Sequence, residues 1–537
     1  MNDAQLPPRW GMVIDLNRCV GCQTCTIACK HHNSTTPDVQ WRRVLDVEQG
    51  SFPDVQRFFM VTGCQHCEDA PCVPVCPTGA TFKRDDGIVA IDYDQCIGCG
   101  YCAVSCPYEA RTIVKKQDWY YGEETVQERA VAQPDRIGVA QKCTFCSDRV
   151  DAGVAQGLTP GVDPAATPAC SAACIAQAIT FGDWNDADSP VGRLAAERDL
   201  LQLNADVGTD PQIKYLYDTP AVPGRETDAA EDEARRGDPA NPLVGKRQEF
   251  WDWRAAMNWM LGGLSSGFAV VLYAFYLYGA LEADVLARMN LLAAALMGGG
   301  LLSVFWKLGR PERSWRAILR PNTSWMTREL YTVAVFFPAV AAGYLWQSPF
   351  AFALAAAAAA AFLLCQGQIL YRARGIPAWR APLIPYMIVA SGLLEGMGLL
   401  ALMVGLPNGF PIEPVGVAKT AIVLIIVNAV LWQTYRNGLA KHGVPPLARE
   451  AIAECDHAIR YGGHWLAIVL FALSVIAPQI PLSIMTIAGV ALIGGGAFWK
   501  WTVILRAGYF QGFHLAKTPQ RGSGTFAAPA RLDGWRR

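Results

Sequence analysis

The spacing of cysteines constrains this 537-residue chain more than any other feature. Of its 18 cysteines, sixteen fall between positions 19 and 174 in four groups, and each group ends in C-x3-C, as in "CVGCQTCTIACK" at 19–30. The second and third groups continue into proline. The pattern indicates one structural unit repeated four times. The groups are Cys19, Cys22, Cys25, Cys29; Cys64, Cys67, Cys72, Cys76; Cys96, Cys99, Cys102, Cys106; and Cys143, Cys146, Cys170, Cys174.

This spacing suits a cubane iron–sulfur cluster. A C-x2-C-x2-C run wraps the backbone around three corners of a [4Fe-4S] cluster, and the fourth cysteine comes from elsewhere in the chain. Structural zinc usually takes two separated cysteine pairs. A disulfide framework is typical of small secreted domains, and cysteines two residues apart are poorly placed to pair. We therefore predict four [4Fe-4S] clusters, with zinc and disulfides as alternatives. Cys365 and Cys455 are predicted to be buried apolar thiols.

The second half of the chain is depleted of charge and rich in apolar runs. Eight apolar segments lie between residues 259 and 505, and a helix needs about 20 apolar residues to cross a bilayer. The preceding stretch, "AVPGRETDAAEDEARRGDPANPLVGKRQEF", reads as a linker. The prediction is therefore a cysteine domain at 1–220, a linker at 221–250, a membrane anchor at 251–520 and a tail at 521–537. The net charge of -1 gives no reason to expect a nucleic-acid partner.

Loop charges predict the orientation in the membrane. An even number of spans places the cysteine domain on the same side as every second loop. Basic residues in those loops outnumber the basic residues of the opposite loops, which are Arg288 and Lys419. Loops rich in Lys and Arg stay in the cytoplasm, and the first 16 residues show no signal core or paired arginines. We therefore expect the cysteine domain on the cytoplasmic side of a bacterial inner membrane. The basic residues on its side are Lys307, Arg310, Arg313, Arg316, Arg320, Arg328, Arg372, Arg374, Arg380, Arg436, Lys441, Arg449 and Arg460.

From residue 10 to about 220, the four motifs and the stretch "AITFGDWNDADSP" resemble the electron-transfer subunit of dimethyl sulfoxide reductase-type molybdoenzymes. The resemblance implies an α+β ferredoxin-like domain in which the last cysteine of each motif crosses to another cluster. One departure is Ile175, where the second and third motifs have proline. The implied ligand sets are Cys19, Cys22, Cys25 with Cys174; Cys143, Cys146, Cys170 with Cys29; Cys64, Cys67, Cys72 with Cys106; and Cys96, Cys99, Cys102 with Cys76.

The membrane half resembles the eight-helix anchor subunit of the same enzymes, an all-α transmembrane bundle. "KLGRPERSWRAILRPNTSWMTREL" and "RAGYFQGFHL" carry this resemblance. Where the anchor has a histidine associated with quinone, this chain has Lys307, which can donate a hydrogen bond to a quinone carbonyl. Arg310 in the same basic loop and Glu395, an ionisable residue inside a span, are the other candidate quinone residues.

Other polar residues of the spans have structural interpretations. Gln366 and Asn428 are predicted to make interhelical hydrogen bonds. Lys500 is expected to extend its amine towards the membrane surface. Haem is not expected, because His464 lies at the edge of a predicted apolar segment and the other histidines of this half lie outside the segments.

The chain carries no phosphate-binding loop in a strand-to-helix context, so substrate chemistry is expected on another subunit. The resemblance implies a molybdopterin catalytic subunit as partner and menaquinone or ubiquinone in the membrane. The loop charges favour the cytoplasm-facing, sulfite-oxidising relatives. The alternatives are a quinol-oxidising anchor of an S-oxide or N-oxide reductase, an anchor for a non-molybdenum partner such as a hydrogenase, and a zinc-binding membrane scaffold.

Overall fold

The computed structural model describes residues 6–49, 56–217, 236–406, 410–477 and 481–516. A four-stranded sheet forms one side of the cysteine domain. Its central strand, β1 (Trp10–Asp15), is fully buried and pairs antiparallel with β8 (Ile179–Asp183) and parallel with β10 (Ile213–Leu216). Strand β9 (Leu200–Gln202) completes the order β8-β1-β10-β9. The sheet therefore joins the first strand of the domain to its last strands and closes the domain on itself.

The remaining strands of the cysteine domain form two-stranded antiparallel sheets, and its helices are short. The pairs are β2 (Arg42–Gln49) with β3 (Gln56–Gly63), β4 (Thr81–Lys83) with β5 (Val89–Ile91), and β6 (Thr112–Ile113) with β7 (Ala140–Gln141). The helices are α1 (Thr24–Asn33), α2 (Tyr101–Val104), α3 (Val126–Val131), α4 (Ser147–Ala155), α5 (Ala169–Ala172) and α6 (Pro190–Glu197).

Three of these helices begin inside cysteine motifs after a left-handed residue. The residues before α1, α2 and α4 are Gln23, Gly100 and Cys146, with φ of 62°, 80° and 50°. A left-handed residue turns the backbone sharply, so consecutive cysteines of one motif can face a common centre. The four-residue spacing of C-x3-C then places the last two cysteines on one face of a helical turn.

Eight helical spans form the second half of the described chain, as the sequence predicted. Three helical segments of this half are not α-helical: a 3₁₀ segment at Pro311–Ile318, in the loop after the second span, and π-helical segments at Ala458–Trp465 and Thr502–Arg506. The seventh span runs from α13 through the first π segment into α14. The helices are α7 (Trp253–Leu277), α8 (Ala283–Phe305), α9 (Trp325–Trp346), α10 (Pro349–Tyr371), α11 (Ile384–Val404), α12 (Pro414–Gly438), α13 (Pro446–His457), α14 (Leu466–Ile476) and α15 (Ser483–Trp501).

Helix α11 lies at the centre of the bundle, where it packs against α7, α10, α12 and α15. Its closest approach to α7 depends on glycine. A Cβ on Gly267 would lie 1.7 Å from the carbonyl oxygen of Gly392. Small residues at such crossings let helix backbones meet in lipid, where packing replaces the hydrophobic effect as the driving force.

The predicted linker is partly structured. Residues 221–235 lie outside the described residues, but the segment 243–248 runs antiparallel to 508–513. Phe510 N donates to Lys246 O at 3.0 Å, and Phe513 N donates to Leu243 O at 2.8 Å. The anchor predicted at 251–520 also differs, because Phe513 and Leu515 pack in the core of the cysteine domain. Pairing between residues 264 and 270 positions apart in the chain leaves no local signal. For this reason the composition of the stretch alone predicted a linker. The predicted tail at 521–537 lies outside the described residues.

Candidate functional site

The motif cysteines lie inside the soluble domain. Thirteen are buried, Cys99 and Cys174 are half-buried, and Cys22 is exposed. Residues from distant motifs meet directly at Asn33, whose side-chain nitrogen lies 3.7 Å from Cys29 Sγ and 3.9 Å from Cys146 Sγ. The last cysteine of the first motif therefore lies beside the fourth motif.

Electrostatic interactions between thiols group the cysteines further. Each set draws its fourth member from a different motif than the other three. The first set is Cys19, Cys25 and Cys174, with Cys22 lining the same cavity, and Cys25 also interacts with Cys170 of the second set; the second is Cys29, Cys143, Cys146 and Cys170; the third is Cys64, Cys67, Cys72 and Cys106; and the fourth is Cys76, Cys96, Cys99 and Cys102.

The donor sets fit an iron–sulfur cluster better than one metal ion. Within the described residues, no three His, Cys, Asp or Glu side chains have the spacing of a single-ion site. Zinc would need its ligands about 2.3 Å from one point, whereas a cubane binds its four thiolates at four different irons and therefore holds them further apart. At the first set, the cysteines line a cavity that is partly open to solvent.

Backbone amides also point at the sulfurs. Ala178 N donates to Cys174 Sγ at 3.2 Å, Phe145 N to Cys143 Sγ at 3.4 Å, and Thr81 N to Cys76 Sγ at 3.5 Å. Such bonds stabilise thiolate ligands and tune the potential of a bound cluster.

Three buried cations lie between successive cysteine sets. Arg42 interacts with cysteines of the first and second sets, Lys142 with those of the second and third, and Arg111 with those of the third and fourth. All three are at most 3% exposed. Arg42 Nε and Nη1 and Arg111 Nη2 are buried without a protein partner in the described chain. Buried cations need anionic neighbours, and clusters bound by four thiolates would provide them.

The fourth set touches the membrane half. Lys307 Nζ donates to the carbonyl oxygen of Cys99 at 2.9 Å, and Trp251 Nε1 donates to the same oxygen at 3.2 Å. The Lys307 amine also lies 5.9 Å from the Trp251 ring centroid. Burial lowers the pKa of Lys307 to about 8, while Cys99 and Asp252 oppose this shift. Lys307 therefore connects the end of α8 with a cysteine of the fourth set.

The other predicted quinone residues have different partners. Arg310 Nε donates to Ile137 O at 2.8 Å, so its guanidinium docks the membrane loop on the cysteine domain. Glu395 is buried in the bundle, where its Oε2 lies 2.7 Å from Lys500 Nζ. This pair corrects the prediction for Lys500, whose side chain is fully buried. The sequence predicted that the Lys500 amine extends towards the membrane surface because the residue lies near the helix end. In the structure its ammonium instead pairs with Glu395 of α11 inside the bundle.

Glu329, at the start of α9, was missed by sequence reasoning. It is 5% exposed and accepts from Asn258 Nδ2 at 3.3 Å. It lies within electrostatic range of Tyr101, the residue directly before Cys102. The available signal was an acidic residue in "TREL", directly before an apolar span.

The two predicted interhelical hydrogen-bonding residues make such bonds. Gln366 Nε2 donates to Asn258 O at 2.8 Å, and Asn428 Oδ1 lies 3.0 Å from His464 Nε2. His464 is 5% exposed in the seventh span and lies four residues after Arg460 on the same helix. The polar residues around His464 form a π-helical segment that continues the helix, so the helix is longer than its apolar part.

Comparisons with known proteins match both halves. A family model described as a 4Fe-4S dicluster domain matches residues 55–184, and that of the DMSO reductase anchor subunit (DmsC) matches residues 250–431. A selenate reductase subunit of Mesobacillus selenatarsenatis is 41% identical over 39% of this chain and 72% of its own length. A sulfite dehydrogenase subunit of Allochromatium vinosum is 39% identical over 38% of this chain and 81% of its own length.

A third relative is the iron-sulfur cluster-binding subunit of menaquinone reductase from Nitratidesulfovibrio vulgaris. It is 36% identical over 39% of this chain and 88% of its own length. These relatives cover the cysteine domain, and the anchor model covers much of the membrane half. The chain is thus a multi-pass iron–sulfur membrane protein that belongs to the family of electron-transfer subunits of dimethyl sulfoxide reductase-type enzymes, with a DmsC-type anchor fused to it.

Proposed function

We propose that this chain holds four [4Fe-4S] clusters on the four cysteine sets and carries electrons between a molybdopterin catalytic subunit and membrane quinone. The observation that carries the proposal is the order of the cysteine sets, which begins at exposed Cys22, continues through buried sets that share a cation with the next set, and ends at Cys99 against Lys307. When bound, such clusters accept and release one electron at a time. The protein holds them apart from water and places buried cations between them.

The partner is proposed to dock at the first set. Val20, Ile27 and Ile175 are 57%, 62% and 67% exposed around the cysteines there. Exposed apolar side chains next to a redox site are suited to a protein interface. Two of the relatives are named as subunits of a reductase and a dehydrogenase, which supports a catalytic subunit as the partner.

The quinone, menaquinone or ubiquinone, is proposed to bind where the fourth set meets the membrane. Lys307 would donate a hydrogen bond to a quinone oxygen, and Trp251 would contribute an aromatic wall. Glu329 lies near the same end of the bundle and would exchange the proton that quinone chemistry requires. Glu395 is left out of this site because Lys500 neutralises it within the bundle.

We favour sulfite oxidation on the cytoplasmic side of a bacterial inner membrane. The support is the excess of basic residues in the loops on the cysteine-domain side and the similarity to a sulfite dehydrogenase subunit. Reduction of an oxyanion or S-oxide with quinol is the second candidate, because the selenate reductase relative has comparable identity.

Metal analysis tests the cluster assignment. Anaerobically purified protein should contain about 16 irons and 16 sulfides per chain, and its reduced form should show interacting cubane signals in electron paramagnetic resonance. Zinc in place of iron, or iron for two clusters, would contradict the four-cluster assignment.

Substitution of Lys307 tests the quinone site. Lys307→Met should leave the iron content and dithionite-reducible signals unchanged but slow reoxidation of the clusters by a quinone analogue by about tenfold or more. Lys441→Met, at an exposed position in another basic loop, is the matched control. Equal rates in both variants would exclude Lys307 from the quinone site. Protease accessibility of the cysteine domain in inside-out and right-side-out vesicles tests its side.

A further inference from the structure

The second half of the membrane bundle contains a polar site apart from the proposed electron path. A small cavity lies between α11, α12, the π segment at 458–465 and α15. It has room for about one water molecule. Polar residues lining it are Ser391, Asn428, Trp432, His464 and Trp499. Polar residues from four elements are costly in lipid, and a π-helical segment at such a place frequently marks a functional site.

The atoms around the cavity have unused hydrogen-bonding capacity. Trp499 Nε1 and His464 Nδ1 are both buried without a partner among the described residues. The second ring nitrogen, His464 Nε2, faces Asn428 Oδ1 at 3.0 Å. An amide oxygen only accepts, so Nε2 carries the hydrogen and Nδ1 of the neutral ring is an acceptor. The cavity wall therefore presents one donor and one acceptor.

Glu395 lies behind one wall of this cavity. Its Oε2 is paired with Lys500, and its Oε1 is buried without a partner in the described chain. Gly496 lines the cavity, and a Cβ on Gly496 would lie 2.3 Å from Oε1. A Cβ on Gly263 of α7 would lie 2.2 Å from Lys500 Nζ. Gly263 on α7 and Gly496 on α15 thus leave the space that the Glu395–Lys500 pair occupies. Because Gly496 has no side chain, Glu395 Oε1 lies next to the cavity.

We propose that this cavity is a hydrated proton-transfer site for Glu395. One internal water accepts from Trp499 Nε1 and donates to His464 Nδ1 and, past Gly496, to Glu395 Oε1. Three hydrogen bonds are the usual number for a buried water, and they satisfy three groups that are otherwise unpaired. The site exchanges protons and does not depend on quinone binding at Lys307.

The step moves one proton and no electron. A proton from the aqueous phase enters the cavity and reaches His464 Nδ1 through the water, which transfers one of its hydrogens to Nδ1 as it takes up the incoming proton; the imidazolium then returns a proton to the water. As the water receives that proton, one of its own O–H bonds breaks and an O–H bond forms at Glu395 Oε1. Lys500 remains an ammonium, so the bundle gains one positive charge, which is lost again when the proton leaves.

Charged groups on the neighbouring elements indicate the aqueous side. Trp432, which lines the cavity, donates from Nε1 to Asp456 Oδ1 at 2.9 Å. Asp456 also pairs with Arg436 at 2.8 Å and Arg460 at 3.0 Å, and both arginines are partly exposed. From α7, Gly263 faces the pair and contributes no charge. The polar groups therefore lead from the basic loops to the cavity, on the side of the cysteine domain.

Infrared spectroscopy of the purified full-length chain tests this proposal without any quinone. A pH titration should reveal a carboxylic-acid carbonyl band that shifts in D₂O and is absent from Glu395→Gln. Trp499→Phe and His464→Phe should keep the band but slow its hydrogen–deuterium exchange by about tenfold or more. Failure to find a Glu395-dependent band at any pH at which the protein stays folded would overturn the proposal.

Glycine substitutions provide a matched pair. Gly496→Ala places a methyl group between the cavity and Oε1 and should shift the Glu395 band or slow its exchange. Gly494→Ala makes the same change two residues earlier, where a Cβ would meet nothing within 4 Å, and should leave both unchanged. Indistinguishable exchange in wild type, both glycine variants and both aromatic variants would assign Glu395 and Lys500 a structural role only. If a variant loses its reactivity with quinone while the hydrogen–deuterium exchange of Glu395 is unchanged, the result concerns the quinone site proposed at Lys307 and leaves the proton-transfer site in place.

Discussion

At the scale of single residues, the buried cations are the feature with the clearest electrostatic consequence. Arg111 is 3% exposed, and its strongest charge interactions are with cysteines of the third and fourth sets. An arginine stays protonated in proteins, so its charge acts on both neighbouring sets. A reduced cluster carries one more negative charge than an oxidised one, and the cation therefore favours reduction.

Arg111→Gln should lower the reduction potentials of the two adjacent clusters. A unit charge about 8 Å away contributes roughly 2 kcal/mol at an effective dielectric constant of about 20, which is on the order of 100 mV. Redox titration followed by electron paramagnetic resonance measures this change. Arg57→Gln removes a charge from the solvent-exposed pair with Asp46 and is the control. Unchanged or raised potentials in Arg111→Gln would show that the guanidinium does not act electrostatically on the clusters.

Asn33 gives a second prediction at this scale. Its side-chain nitrogen lies near the sulfurs of Cys29 and Cys146 and donates to Cys29 O at 2.9 Å. Hydrogen bonds to cluster sulfurs raise the potential. Asn33→Leu should therefore lower the potential of the second cluster while leaving the iron content intact. Asn185→Leu, a substitution at an exposed position of the same domain, serves for comparison, and equal potentials in Asn33→Leu and Asn185→Leu would refute the sulfur contact.

At the scale of elements, the loop after α8 fastens the membrane half to the cysteine domain. A Cβ on Gly309 would lie 1.9 Å from Gly138 O, so the two backbones touch. Arg310 and Arg313 on the same loop donate to carbonyl oxygens of the cysteine domain, at 2.8 Å in both cases. The same basic residues on which the predicted orientation of the loop depends also hold the contact between the loop and the cysteine domain.

Gly309→Ala should separate these backbones and weaken the docking of the fourth set on the membrane half. The expected result is slower reoxidation of the clusters by quinone with all clusters retained, measured by stopped-flow absorbance. Gly298→Ala, within α8, is the control because its Cβ would meet its nearest neighbour at an ordinary 4.0 Å. Equal rates in the two variants would mean that the glycine contact does not set the electron-transfer geometry.

At the scale of the whole molecule, the chain returns to its first domain after crossing the membrane region. Asn204 accepts from His514 N at 2.7 Å and donates to Gly512 O at 2.9 Å, while its backbone N–H donates to His514 O at 2.8 Å. The two halves of the fused polypeptide are therefore connected twice. One connection is the covalent chain between them, and the other is the set of hydrogen bonds between Asn204 and residues 512–514.

Asn204→Ala should destabilise the connection between the halves by roughly 1–3 kcal/mol, because it leaves buried backbone groups without partners. Thermal unfolding of the cysteine domain, followed by cluster absorbance, should shift to lower temperature. Asn185→Ala removes a side-chain bond at an exposed position of the same domain and should leave the transition nearly unchanged. A wild-type transition in Asn204→Ala would show that the returning segment adds no stability.

The sequence by itself determined the chemistry and the class of fold. Cysteine spacing is set by the ligand geometry of a cluster, and apolar length is set by bilayer thickness, so both are visible in local order. Eight spans and an iron–sulfur domain followed from these signals. The sequence also indicated the polar positions inside the spans, Gln366, Asn428 and Glu395.

Only the tertiary structure decided which distant residues meet. It brings Asn33 between Cys29 and Cys146, pairs Glu395 with Lys500 across helices, and aligns residues 243–248 with 508–513. Ion pairs and backbone pairing between residues hundreds of positions apart depend on how the elements pack in three dimensions. Such packing produces no periodic pattern in the sequence. For this reason Lys500 was misplaced, Glu329 was missed and part of the linker proved to be structured, although the type of each residue was already known.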